Sequence, residues 1–113
     1  MDRNMAAKPM EPAQAARLLE QWIQFYDMND KKAWDAEDYP YVKSVCDAMK
    51  LAAQALRGKA PSNPGAAKKA AALLEECPEE FEIDEPEAWE PENRAFVRDA
   101  LEAIRFAAAF MKK

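Results

Sequence analysis

Apolar residues fall along this chain in four runs at the spacing of a helix face. In the first, Ala15, Leu18, Leu19, Trp22, Ile23 and Tyr26 lie three or four residues apart, which puts them on one broad side of a helix at 100° per residue. Glu11-Pro12 opens that helix, because proline in the first turn gives up no intrahelical hydrogen bond. The third run has a similar face and begins at Asn63-Pro64, a capping residue followed by proline. Pro78 is expected to end it, which would make the connector that follows longer than the first one.

The second and fourth runs are far more apolar. With Val97 at zero, the residues Leu101, Ala108, Ile104, Met111, Ala100, Ala107, Phe96, Ala103, Phe110 and Phe106 fill an arc of about 220°. The second run repeats this arc position by position from Tyr41 to Leu56. A surface helix needs about half that width, so these two helices are expected at the centre of a four-helix arrangement. Phe106 and Phe110 sit at the edge of the arc, where they could also serve a homodimer surface. The opposite flank carries Lys43, Lys50 and Arg57, then Arg98, Arg105 and Lys112. Asp47 and Glu102 lie three or four residues from these cations, as on an ordinary solvated helix face.

Sliding the chain against itself explains the similarity of the runs. At an offset of 55 the stretch from Pro9 to Arg57 aligns with Pro64 to Lys112 without a gap. LLE at 18–20 falls on LLE at 73–75, and YVKSVCDAMKLAA at 41–53 falls on FVRDALEAIRFAA at 96–108. Alanine-rich helices align easily, but Trp34 falling on Trp89 in a non-helical segment is not explained by alanine content. The chain therefore reads as one domain, 1–113, built from repeat 1 (about 9–57), a linker (58–63) and repeat 2 (about 64–112). Gly58 is placed to end a helix in a left-handed turn. The expected fold is all-α, a four-helix bundle of two tandem helix-loop-helix repeats related by a pseudo-two-fold.

Composition supports helix and narrows the chemistry. Of 113 residues 50% are hydrophobic, only two are glycine, and there is no histidine or threonine. Without histidine the commonest general base is missing, and Ser44 and Ser62 are the only serines. Gly58 and Gly65 are isolated, so no glycine-rich phosphate loop is present. Cys46 and Cys77 lack metal-ligand spacing and read as reduced, small apolar side chains.

Two carboxylate-metal arrangements come closest to a site. Asp27, Asn29, Asp35 and Asp38 resemble positions 1, 3, 9 and 12 of an EF-hand loop, but Lys32 stands where that loop needs glycine. Glu76/Glu79 and Asp99/Glu102 have the three-residue spacing seen in helical nucleotide pyrophosphohydrolases; Pro78 interrupts the first pair, and the first repeat has no counterpart. No catalytic residue, metal or cofactor is expected.

Charge is the remaining signal. The net charge is −5, which disfavours direct binding to nucleic acid or an anionic membrane and favours a basic protein partner. Residues 1–57 hold 8 basic and 9 acidic side chains, residues 58–113 hold 8 and 12. The excess lies in EECPEEFEIDEPEAWEPEN, where Glu79, Glu80, Glu82, Asp84, Glu85, Glu87 and Glu90 form a candidate partner-binding patch. Trp34, Phe81, Ile83 and Trp89 are expected to anchor the connectors to the bundle.

No signal peptide or membrane span is apparent, so a cytoplasmic protein is expected. These features point to a small non-enzymatic protein-binding protein. Its sharper form is an inhibitor imitating nucleic-acid charge against a nucleic-acid-binding partner, of the kind phages and mobile elements use against host defences. A self-associating adaptor is the alternative.

Overall fold

The computed structural model describes residues 10–112 and contains four α-helices: α1 (Pro12–Phe25), α2 (Tyr39–Leu56), α3 (Pro64–Glu80) and α4 (Arg94–Met111). Helices α1 and α2 pack as one hairpin and α3 and α4 as the other, and the hairpins meet through α1 against α4 and α2 against α3. Exchanging α1 with α3 and α2 with α4 maps each of these pairs onto another. Helices α2 and α4 also touch each other across the middle, as their wide apolar arcs require. Alanines at 48, 52 and 53 of α2 and at 100, 103, 107 and 108 of α4 are all buried, so the helices can approach their neighbours closely. No polar or charged residue is buried among the described residues.

The two repeats share their backbone hydrogen bonds as well as their helices. Both first helices end in the same capping motif. Asp27 donates its N–H to Gln24 and Met28 to Ile23; at an offset of 55, Glu82 donates to Glu79 and Ile83 to Pro78. In each case a left-handed residue reverses the chain and an apolar residue then packs back on the last turn. The left-handed residues are Asp27 (φ 53°) and Glu82 (φ 59°). Short 3₁₀ turns follow at Lys31–Ala33 and Pro86–Ala88. The pair Glu20–Arg57 in the first unit recurs as Glu75–Lys112 in the second. Gly58, at φ 98°, ends α2 in the same kind of turn, with Lys59 N–H donating to Gln54.

Three expectations need correction. Helix α3 does not end at Pro78 but runs on to Glu80. The ring removes one hydrogen bond, to the Leu74 carbonyl, and the Cys77 thiol, itself buried, points at that carbonyl from 3.8 Å. Pro78 is buried and occupies the place of Ile23, where the cap wants an apolar partner for Ile83. The second connector is consequently no longer than the first: 81–93 follows 26–38 residue by residue. Glu76 and Glu79 do share a helix, contrary to the argument from Pro78. Pro9, the expected start of the first repeat, lies outside the described residues.

The left-handed residues carry a prediction. A non-glycine side chain there costs roughly 1–2 kcal/mol, and glycine recovers part of this after its own entropy cost. Glu82→Gly will raise stability by about 0.5–1 kcal/mol in urea denaturation. Asp27→Gly will gain less, because aspartate tolerates this region better than glutamate.

Candidate partner-binding face

Each connector is held by a tryptophan whose indole N–H reaches back to the left-handed residue. Trp34 Nε1 donates to the Asp27 carbonyl at 3.0 Å and Trp89 Nε1 to the Glu82 carbonyl at 2.9 Å. Met28 and Ile83 are fully buried beneath, and Phe81 is buried while Trp34 and Trp89 are half-buried. The backbone at Glu82 is therefore fixed while its carboxylate points to solvent.

Along this frame Glu79, Glu80, Glu82, Asp84, Glu85, Glu87 and Glu90 are all exposed. Glu79 and Glu80 belong to the last turn of α3, the other five to the connector. Of the seven, among the described residues, Glu87 alone forms an ion pair, with Arg98 at 3.1 Å. That pair is exposed on both sides, so its strength is small. Glu79 and Asp84 share a depression with Glu75, Arg105 and Lys112, where part of their charge is offset at longer range.

The first repeat provides the comparison. The equivalent positions are Gln24, Phe25, Asp27, Asn29, Asp30, Lys32 and Asp35, on a connector with the same helix cap, 3₁₀ turn and tryptophan hydrogen bond. Three aspartates and one lysine give those seven positions a net charge of −2, against −7 for the seven carboxylates of the second repeat; over the whole connectors, 26–38 carries −3 and 81–93 carries −6. The same backbone thus folds with or without the acidic excess.

Where the connectors meet, α1 and the starts of α2 and α4 bring together aromatic residues distant in sequence. Trp22 is fully buried and lies within 6.0 Å, centroid to centroid, of Phe25, Tyr26, Trp89 and Phe96. Tyr26 stacks edge-on against its repeat counterpart Phe81 at 5.3 Å, and Phe81 meets Tyr41 at 5.8 Å. Trp22 Nε1 and the Tyr41 hydroxyl are buried without a hydrogen-bond partner among the described residues. Burial, and then the nearby Glu76 carboxylate, raise the Tyr41 pKa; burial, and then Glu82, raise that of Tyr26.

Phe25, 40% exposed, is the large hydrophobic residue most open to solvent among those described. Phe106 and Phe110 are half-buried against the core, so they offer less surface to a second copy than their place on the arc suggests. The cysteines are free and buried. Burial pushes the Cys77 thiol up to about 12 and also raises Cys46, so neither is a reactive thiolate near neutral pH. Among the described residues no three acidic, histidine or cysteine side chains gather as a metal site would need, and no helix is long and apolar enough to cross a membrane.

Sequence reasoning placed Trp22 and Tyr41 on apolar helix faces but did not bring them together with Phe25 as one aromatic cluster. They share one signal: Trp22/Cys77, Phe25/Glu80 and Tyr41/Phe96 are repeat pairs that differ in size, charge or polarity. Comparison with protein-family models, curated proteins and solved structures found no match for this chain.

Proposed function

We propose that this chain is a non-catalytic cytoplasmic binding protein whose end of α3 and second connector engage a basic surface on another protein. The observation that carries this reading is the comparison of the two connectors, which share one backbone and differ in charge from −3 over 26–38 to −6 over 81–93, with Glu79 and Glu80 adding two more carboxylates beside the second where the first has Gln24 and Phe25. Folding does not ask for that difference, and like charges this close repel one another. An exposed field of one sign speeds encounter with a surface of the other sign and rejects acidic competitors. Rigid support by the tryptophan hydrogen bonds lowers the ordering cost of binding.

Nucleic-acid-binding proteins present the commonest large basic surfaces, so the preferred partner is one of these, blocked by a protein that imitates phosphate charge. An inhibitor acting for a phage or mobile element against host defence fits the size and charge, by analogy alone.

Capture from a cell lysate tests the reading. The immobilised protein should retain a basic protein at low salt and release it as the Debye length falls from about 8 Å at 0.15 M to about 3 Å at 1 M. Duplex DNA added to the lysate should compete. Retention of proteins with no basic surface, or capture indifferent to salt and DNA, would overturn it.

A further inference from the structure

Beside the acidic connector a pocket of about 330 Å³ opens between the start of α2 and the end of α3. Its walls are aromatic, formed by Tyr26, Trp34, Tyr41 and Phe81. Its rim is acidic: Glu37, Asp38 and Glu80 line it, all three exposed, and no lysine or arginine does. Trp34 is already held in place by its hydrogen bond to the Asp27 carbonyl, so the aromatic wall needs no reordering to receive a ligand.

The pseudo-two-fold supplies an internal comparison. In the second repeat Trp89 stands for Trp34, Phe96 for Tyr41 and Asn93 for Asp38, while the place of Glu80 is taken by Phe25. The Phe25 ring packs on Phe96 at 5.1 Å and Trp89 at 6.2 Å, covering that side of the aromatic cluster. One frame is thus covered by a benzene ring in one half and rimmed by carboxylates in the other.

We infer that the pocket between Trp34, Tyr41 and Phe81 takes the side chain of an arginine presented by the basic partner. Aromatic faces carry negative potential and attract a cation placed over them. A guanidinium is flat enough to lie along such faces and carries N–H groups arranged to meet carboxylates in pairs. A neutral apolar side chain would leave three rim carboxylates poorly solvated and unpaired, and an anion would be repelled. The inference deepens the proposed binding function and rests on it, since Glu80 belongs to both the patch and the rim.

The test is a titration of the full chain, labelled with ¹⁵N, with N-acetyl-arginine methylamide, using the citrulline analogue as the neutral control of similar shape. The Trp34 indole signal should shift in a saturable way with the arginine compound only, and Trp89 should stay in place. Glu80→Phe and Asp38→Asn each install the residue that the other repeat carries. Each should keep the helical signal and weaken the arginine effect about 10-fold or more. A Trp34 signal that does not move, or moves equally with citrulline, overturns the inference, as does a folded Glu80→Phe protein that binds arginine undiminished. Should the pocket stay silent while salt-sensitive capture of a basic protein persists, the pocket falls and the acidic face stands. Arginine binding at Trp34 without any such capture would remove the acidic-face reading instead.

Discussion

Replacing Trp22 by alanine will destabilise the protein by about 3–5 kcal/mol, the range for truncating a large buried aromatic residue. Trp22 is fully buried and lies against rings from α1, both connectors and α4, so its loss opens a cavity that four elements would have to close together. Its repeat counterpart is Cys77, also fully buried. The two halves thus fill the same buried position with side chains of very different size. A domain of this size is stable by about 5–15 kcal/mol, so Trp22→Ala leaves a marginal fold and loosens the connectors that display the acidic side chains.

Trp22→Phe separates packing from polarity. It gives up part of the ring area, yet removes an indole N–H that has no partner among the described residues, a group whose burial costs about 1–3 kcal/mol. The two effects oppose each other, and the net change should be within about 1 kcal/mol of zero. Urea denaturation of both variants checks the pair. A loss under about 1 kcal/mol for Trp22→Ala would show that the cluster does not hold the halves together.

Periodicity carried most of the architecture. The start of α1 at Pro12, the cap of α3 by the Asn63 side chain on the Gly65 N–H, and the left-handed Gly58 were all readable, because each follows from a local preference of one residue. The duplicated connector was readable from Trp34 and Trp89 alone, since a tryptophan kept in a non-helical segment has to be held by something; the two bond equivalent carbonyls, those of Asp27 and Glu82.

Pro78 misled for an instructive reason. The local rule prices the missing hydrogen bond and ignores what the ring gains at the end of a helix, where it is buried while its carbonyl still accepts from the Ile83 N–H. Asp27 and Glu82 were hidden similarly, because preference assigns left-handed turns to glycine or asparagine. The aromatic cluster was hidden by distance: its members come from α1, α2, α4 and both connectors, and only the fold places them together. Exposure of the seven carboxylates followed from the apolar anchors Phe81, Ile83 and Trp89 between them, whereas the pairing of Glu87 with Arg98 across 11 residues depends on how the 3₁₀ turn lies on α4.

Reversing Glu79, Glu80, Glu82, Asp84 and Glu85 to lysine will abolish capture of the basic partner while leaving the helical fold in place. All five side chains are exposed and outside the ion pairs found among the described residues, so their loss breaks no contact on which folding relies. The five reversals move the net charge from −5 to +5 and turn the local field from attractive to repulsive. A weakening on the order of 100-fold or more in 0.15 M salt is expected, since like charges juxtaposed at an interface cost several kcal/mol. The matched control reverses Asp27, Asp30 and Asp35 in the first connector, where the same backbone carries only −3; it should weaken capture far less. Affinity measured against salt for the two variants distinguishes a sited interaction from a general effect of net charge. If capture falls equally with both sets in proportion to total charge, the second connector has no special role and the acidic excess is only solubilising. If the fall belongs to the second set, recognition is placed on the part of the chain where the two repeats differ most in charge.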